Sequence, residues 1–262
     1  MDFEPIQPGT HVDGKLKPLL VSFSGIDGAG KTTQIDNLVA WLKGAGLRVR
    51  QVAFWDDVAT LRSLRETTGH ALFKGDKGVG TPSTPINRRD KNVTSWPMTG
   101  VRLFLYFVDA VSVRFVVRKA LRSGADLVIF DRYIYDEFAN LTLHNPLIRA
   151  YVRLIMKIVP KPRISYLLDA DPVKARARKP EYPLEFLHSN RQSYLTLSDL
   201  VGGMTMIPPM PIEEVKREVL YHAQKELSFE ANQRDNHENV ACGEYSGDAA
   251  KLDRPQTRPA AS

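Results

Sequence analysis

The sequence contains almost no cysteine and no long hydrophobic run. Cys242 is the only cysteine among 262 residues, so an intramolecular disulfide is excluded and a cysteine-based metal site is not expected. The most apolar stretch, residues 103–117, is interrupted by Asp109 and Arg114 and is too short to span a bilayer. The start of the chain lacks the basic and then apolar layout of a signal peptide. We therefore expect a cytoplasmic protein with no membrane partner.

Charge is only weakly biased towards one sign. Lys and Arg number 36 and Asp and Glu number 30, which is a net charge of +6. Residues 228–262 hold four basic and six acidic side chains, so residues 1–227 carry 32 minus 24, or +8. This excess suits a polyphosphate ligand but does not identify one. With 43% hydrophobic and 25% charged residues, collagen-like and wholly disordered chains are excluded.

From Leu19 onwards, short β-branched runs alternate with amphipathic stretches, a pattern typical of βαβ units and hence of an α/β fold with a parallel sheet. The predicted strands are Leu19–Ser24, Arg48–Phe54, Asp126–Phe130, Arg163–Leu168 and Met204–Ile207. The predicted helices are Lys31–Ala45, Val58–Thr67, Val101–Arg122, Asp136–His144, Leu147–Ile158, Pro172–Arg178, Leu184–Leu200 and Ile212–Leu227.

Three segments show neither the helical nor the strand pattern of apolar residues. Residues 1–18 are rich in proline and glycine and are predicted to be a flexible leader. Residues 69–100 contain five glycines and three prolines and are predicted to be a long loop. Residues 228–262 contain few large apolar side chains and are predicted to be a disordered tail. A single domain over residues 19–227 remains.

The strongest motif is the run Gly25–Thr32, which matches G-x-x-x-x-G-K-[ST] between an apolar strand and an amphipathic helix. Its glycines permit positive φ, so that backbone N–H groups can converge on phosphate oxygens. Lys31 is expected to reach the β- and γ-phosphates of ATP, and the Thr32 hydroxyl is expected to bind Mg²⁺. The predicted ATP-binding residues are Gly25, Gly28, Ala29, Gly30, Lys31, Thr32 and Thr33. A glycine-rich turn without a ligand would not explain a lysine at a helix N-terminus.

A second polar motif, Asp131-Arg132-Tyr133, follows the apolar strand that ends at Phe130. An acid at the carboxyl end of a core strand points into the ligand crevice of such a sheet, so Asp131 is the second predicted Mg²⁺ ligand. Arg132 can clamp a phosphoryl group with two hydrogen bonds. The alternative is a helix-capping aspartate beside a surface arginine.

These motifs and their order resemble the thymidylate kinase family. The resemblance covers residues 20–46 (LVSFSGIDGAGKTTQIDNLVAWLKGAG), 103–110 (LFLYFVDA), 128–133 (VIFDRY), 166–178 (YLLDADPVKARAR), 186–197 (FLHSNRQSYLTL) and 211–215 (PIEEV). It implies a P-loop NTPase fold with a five-stranded parallel sheet flanked by helices. It also implies ATP and Mg²⁺ as cofactors, phosphoryl transfer to a nucleoside monophosphate (dTMP to dTDP), nucleotide substrates rather than a nucleic-acid polymer, and a homodimer.

The same resemblance implies roles for single residues. Asp27 would face the acceptor sugar, Arg132 the acceptor phosphate, and Tyr106 would stack on the base. Arg178, with Arg176 nearby, would belong to a short lid over residues 176–183 and neutralise charge on the transferred phosphoryl group. The predicted catalytic residues are Lys31, Asp27, Arg132, Arg178 and Arg176, and the predicted acceptor-binding residues are Asp27, Tyr106, Asp109, Arg132, Tyr133 and Asp136. For Arg176 and Arg178, the alternative is that both are solvated helix residues.

The chain departs from the family pattern on the acceptor side. Residues 55–57 (WDD) replace a Glu-Pro-Gly segment, Ala110 replaces an arginine that meets thymine, and acidic residues follow Tyr133. Two other functions therefore stay open, a kinase for another acceptor and an ATP-binding regulatory module without transfer activity. The long loop is a hypothetical acceptor lid with Arg88, Arg89 and Lys91 near phosphate, and a solvated basic loop fits equally well.

Overall fold

The computed structural model describes residues 18–58 and 96–229. The described residues divide into two units between Leu220 and Tyr221. The described strands are β1 (Leu19–Ser24), β2 (Val49–Ala53), β3 (Leu127–Asp131), β4 (Ile164–Leu168) and β5 (Thr205–Ile207). The described helices are α1 (Lys31–Gly44), α2 (Trp96–Leu121), α3 (Ile134–Phe138), α4 (Pro146–Ile155), α5 (Pro172–Arg178), α6 (Leu184–Val201) and α7 (212–229), and a π-helical turn covers Phe54–Val58.

The five strands form one parallel sheet in the order β2-β3-β1-β4-β5. This confirms the predicted five-stranded parallel sheet flanked by helices. Leu19 of β1 pairs with Leu127 of β3, and Val21 pairs with Ile164 of β4. Because all strands run in one direction, the loops that follow β1, β3 and β4 leave the sheet at the same edge.

Burial explains why the central strands are predominantly apolar. Every residue of β1 and β4 is buried, whereas β2 at the sheet edge has one buried residue. Alternate residues of β3 serve opposite faces of the sheet. Val128 and Phe130 join a buried cluster with Ala110 and Val113 of α2, while Ile129 points to the other face. The sheet therefore carries helices on both sides.

The predicted strands lie within one residue of the observed bounds, but three helices differ. The predicted helix Leu147–Ile158 is too long at its end, because α4 ends at Ile155. The predicted helix Asp136–His144 is wrong at both ends, because α3 begins at Ile134 and ends at Phe138. After Phe138 the backbone N–H of Leu141 bonds to the carbonyl of Phe138, and the Asn140 side chain donates to the carbonyl of Asp136 at 2.8 Å. An asparagine side chain that bonds to the backbone in this way competes with helix continuation.

Helix α2 begins at Trp96, inside the segment 69–100 that was predicted to be a loop. Pro97 is tolerated there because the first N–H groups of a helix have no intrahelical partner. The rest of that loop from 69 to 95, the leader 1–17, the tail from 230 and all but the first residue of the predicted helix Val58–Thr67 lie outside the described residues. Among the helices that the structure describes, none combines the length and apolar character that crossing a bilayer requires.

Candidate active site

The segment that carries the motif Gly25–Thr32, which we call the phosphate loop, joins β1 to α1. Gly30 lies immediately before α1 with φ 91°, in the left-handed region that glycine adopts most easily. Lys31, the first residue of the helix, is 6% exposed, and its Nζ donates to the carbonyl oxygens of Gly25 at 2.8 Å and Ile26 at 3.0 Å. The loop therefore wraps around the lysine side chain and presents its backbone at the helix N-terminus.

The neighbouring carboxylates neutralise the positive charge of Lys31 only in part. Burial lowers the pKa of Lys31 to about 8, and the neighbouring Arg132 adds to this effect, whereas Asp136 and Asp27 oppose it. The first turn of α1 contains no acidic residue. A helix N-terminus with a buried lysine and no carboxylate of its own favours an anionic ligand.

Asp27 and Arg132 meet across the edge of the sheet. Arg132 Nη2 donates to Asp27 Oδ1, and Arg132 Nη1 lies 3.5 Å from Asp136 Oδ1, so the guanidinium stands between two carboxylates. Burial would raise the pKa of Asp27, but the Arg132 and Lys31 charges outweigh burial and bring this pKa to about 2. Burial would lower the pKa of Arg132, and Asp136 and Asp27 raise it above its ordinary value. Both partners are therefore charged at neutral pH.

The two predicted lid arginines lie in different surroundings. A Cβ built on Gly30 would lie 3.9 Å from Arg178 Nη1, so this guanidinium stands beside the phosphate loop. Arg176 lines a shallow surface pocket with Val173 and Leu184. Residues two apart on a helix do not share a face, which explains the separation. The structure thus brings Arg178, and not Arg176, to the phosphate loop.

Asp131 differs from the other two aspartates of the site. Among the described residues it has no hydrogen-bond or ion-pair partner, and its side chain is half-buried at the end of β3. Burial raises the pKa of Asp131, although the Arg132 and Lys31 charges partly oppose this. Thr32 is exposed on the first turn of α1. An unpartnered carboxylate and a hydroxyl are oxygen donors that fit Mg²⁺.

No group of three His, Cys, Asp or Glu side chains within 18–58 and 96–229 could hold a metal ion. With Asp131 and Thr32 as its candidate ligands, a magnesium site would use one carboxylate, one hydroxyl and oxygens of the nucleotide. Such a site is usual for Mg²⁺, which keeps several waters and is often bound together with substrate phosphates.

The remaining predicted acceptor residues are enclosed by the protein. Tyr106 is 6% exposed and its ring contacts the edge of Phe138 at a centroid distance of 6.5 Å. Asp109 is fully buried in α2. Tyr133 is fully buried, and its hydroxyl donates to the carbonyl of Pro160 at 2.5 Å. The structure does not bring these three side chains into the open part of the site.

Sequence reasoning missed two polar groups of the site and one ion pair beside it. Ser24 and Tyr194 both donate hydrogen bonds to Asp136. Arg191 of α6 makes two hydrogen bonds, of 2.6 and 2.7 Å, to Asp169, which follows β4. For these residues the sequence offers one local signal, which is a serine at the carboxyl end of an apolar strand. The other residues lie far from their partners in the sequence and carry no local signal.

No family model matches the chain, whereas several known proteins are similar to it over most of its length. A probable thymidylate kinase of Archaeoglobus fulgidus is 28% identical over 221 residues, which cover 82% of this chain and 99% of that protein. A probable thymidylate kinase of Methanosphaera stadtmanae is 24% identical over 203 residues, covering 75% and 92%. A thymidylate kinase of Prochlorococcus marinus strain AS9601 is 30% identical over 168 residues, covering 63% and 72%.

Proposed function

The chain belongs to the thymidylate kinase family, and we propose that it catalyses ATP-dependent phosphoryl transfer to dTMP in the cytoplasm. The observation that carries the proposal is the position of the Asp27–Arg132 pair beside the phosphate loop. A module that only binds ATP needs a phosphate loop but no such pair. A kinase needs a second cationic site for the phosphate that receives the phosphoryl group.

In the proposed reaction a phosphate oxygen of dTMP attacks the γ-phosphorus of ATP. The bond from that phosphorus to the β–γ bridging oxygen breaks, ADP leaves and dTDP forms. Lys31 and Arg178 balance negative charge on the transferred group, Arg132 holds the acceptor phosphate, and Asp27 accepts a hydrogen bond from the acceptor sugar. Thr32 and Asp131 would hold Mg²⁺, which supplies further charge neutralisation when bound. The protein contributes position and charge rather than covalent chemistry.

The test is ADP release by the full chain with ATP, Mg²⁺ and one acceptor at a time. The acceptors are dTMP, thymidine, dUMP, dCMP, dAMP and dGMP, and a reaction without acceptor measures background hydrolysis. We expect dTMP to give the highest kcat/KM. A higher kcat/KM with another monophosphate or with thymidine would identify that compound, instead of dTMP, as the acceptor. ATP binding without acceptor-dependent ADP release would support the ATP-binding module instead.

We also propose that the protein is a homodimer through α2. This helix exposes four large apolar side chains, Val101 (49%), Phe104 (64%), Phe107 (42%) and Phe115 (62%). Phe104 and Phe107 are three residues apart, and Phe107 and Phe115 are two turns apart, so the phenylalanines share one side of the helix. An exposed apolar strip of this kind is typical of a protein interface, and a second copy of the chain offers the matching strip.

A further inference from the structure

The carboxylate of Asp136 is the most fully hydrogen-bonded acidic group of the site. Its Oδ2 accepts from Ser24 Oγ at 2.7 Å and from the backbone N–H of Tyr133 at 3.1 Å. Its Oδ1 accepts from the Tyr194 hydroxyl at 2.7 Å and lies 3.5 Å from Arg132 Nη1. The residue is 3% exposed. Both oxygens are therefore engaged inside the protein, and neither faces solvent or an incoming nucleotide.

This geometry assigns Asp136 a different role from the predicted direct contact with the acceptor. We propose that Asp136, held by Ser24 and Tyr194, is a positioning residue that aims the Arg132 guanidinium at the acceptor phosphate. The inference rests on the proposed function, since it presupposes that a phosphate binds to Arg132. In the proposed arrangement Asp136 itself touches no substrate.

Arg132 is held by two carboxylates, and Asp136 is the more deeply buried of the two. The backbone of Arg132 has φ 68°, a left-handed conformation that is strained for a residue with a side chain. A free arginine side chain samples many rotamers, and holding one of them carries an entropic penalty of about 1.5–2 kcal/mol. Asp136 contacts Nη1 and Asp27 contacts Nη2, so the plane of the guanidinium is set from both ends. An arginine has five N–H donors, so several remain for a phosphate.

The two side chains that hold Asp136 come from elements on the ATP side of the site. Ser24 ends β1 directly before the phosphate loop, and Tyr194 lies on α6, the helix after α5 with its lid arginines. Asp136 thereby links the acceptor arginine to both elements. Phosphoryl transfer depends on the relative position of the two phosphates, so a link of this kind bears directly on catalysis.

The first test compares Tyr194→Phe and Ser24→Ala with the wild-type chain in the ADP-release assay. Each variant removes one hydrogen bond to Asp136 and retains most of the side-chain volume. Loss of a hydrogen bond to a charged group predicts a rise of about tenfold in the KM for dTMP, while the KM for ATP stays within about twofold. Tyr135→Phe is the matched control, because this buried hydroxyl contacts Ser165 and not Asp136. It should leave both KM values within about twofold.

The second test is a double-mutant cycle with Asp136→Asn. If Tyr194 acts through Asp136, adding Tyr194→Phe to Asp136→Asn changes the KM for dTMP by less than about twofold. Independent, multiplicative effects would overturn the inference. If circular dichroism shows that Asp136→Asn does not fold, the cycle is made with Ser24→Ala and Tyr194→Phe, which act on the same carboxylate and should also be non-additive.

The two proposals fail in different ways. A wild-type chain that releases ADP with dTMP, combined with unchanged dTMP KM in both single variants, overturns the positioning role alone. A wild-type chain that uses another monophosphate overturns dTMP as the acceptor, and the variants are then compared with that monophosphate, with the same expected ratios. A wild-type chain that phosphorylates none of the monophosphates overturns both proposals.

Discussion

Gly28 of the phosphate loop lies directly against Ala175 of α5. A Cβ built on Gly28 would stand 2.3 Å from the carbonyl oxygen of Ala175, and Gly28 has φ 81°. Gly25 approaches Leu168 in the same way, with a Cβ at 2.5 Å from its carbonyl oxygen. These glycines are therefore required by close backbone packing alone, and the loop packs against the helix that carries Arg178.

Gly28→Ala is predicted to destabilise the protein and to raise the KM for ATP. The new methyl group must displace backbone atoms of α5, and a left-handed alanine adds about 1 kcal/mol of strain. Gly46→Ala is the matched control, because Gly46 has φ 79° but nothing within 4 Å of a built Cβ. Thermal unfolding should show a lower Tm for Gly28→Ala than for Gly46→Ala, and equal Tm values would contradict the packing argument.

The fold could be predicted well wherever one element carries its own signal. The run Leu127–Phe130 is apolar because both faces of β3 are covered. The phosphate loop is recognisable from the spacing of its glycine, lysine and threonine residues alone. The end of α3 could not be predicted, because it depends on whether the Asn140 side chain bonds to the carbonyl of Asp136 or to solvent. That choice is made by packing, which the local sequence does not contain.

The site could be predicted for residues inside its two motifs and for Arg178, which the family resemblance indicated. Lys31, Asp27 and Arg132 were recognised from the sequence, and the structure places them together. The surroundings of Asp136 could not be predicted, because its donors Ser24 and Tyr194 lie 112 and 58 residues away along the chain. In the sequence, an aspartate that is buried and an aspartate that binds a ligand look the same, and only the tertiary contacts distinguish them.

Lys31→Ala is predicted to reduce kcat by about 10³-fold or more, because it removes the buried cation that faces the phosphates. The fold should persist, since the close packing of Gly25 and Gly28 against Leu168 and Ala175 does not involve the Lys31 side chain. Lys43→Ala, an exposed lysine in the last turn of the same helix, is the control and should keep wild-type turnover. ADP release measures both, and near-normal turnover of Lys31→Ala would contradict the site.

Acid stability should reveal the Asp27–Arg132 pair. The pKa of Asp27 falls from 3.8 to about 2 in the folded protein. Its contribution to stability is therefore present above pH 4 and is lost as the pH falls from about 4 towards 2. This shift corresponds to about 2 kcal/mol, so the free energy of unfolding of wild type minus Asp27→Asn should decrease by that amount between pH 5 and 2.

Urea unfolding at several pH values measures this difference. The control repeats the Asp27→Asn comparison in an Arg132→Gln background, which removes the largest of the cationic contributions to the Asp27 pKa. The pH-dependent part should shrink there, since the weaker contributions of Lys31 and Lys179 are what is left. The same pH dependence in both backgrounds would show that the pair does not hold the Asp27 charge.

The exposed strip on α2 predicts a dimer that one charge can disrupt. Phe104→Glu and Phe115→Glu each place a carboxylate where the second copy is expected to pack, and burying an unpaired charge strongly disfavours association. Light scattering should give twice the chain mass of 29.5 kDa for wild type and the chain mass itself for both variants. Leu147→Glu is the control, since Leu147 is 68% exposed on α4 and the substitution should leave the dimer intact. A wild-type monomer, or dissociation by Leu147→Glu alone, would contradict an interface on α2.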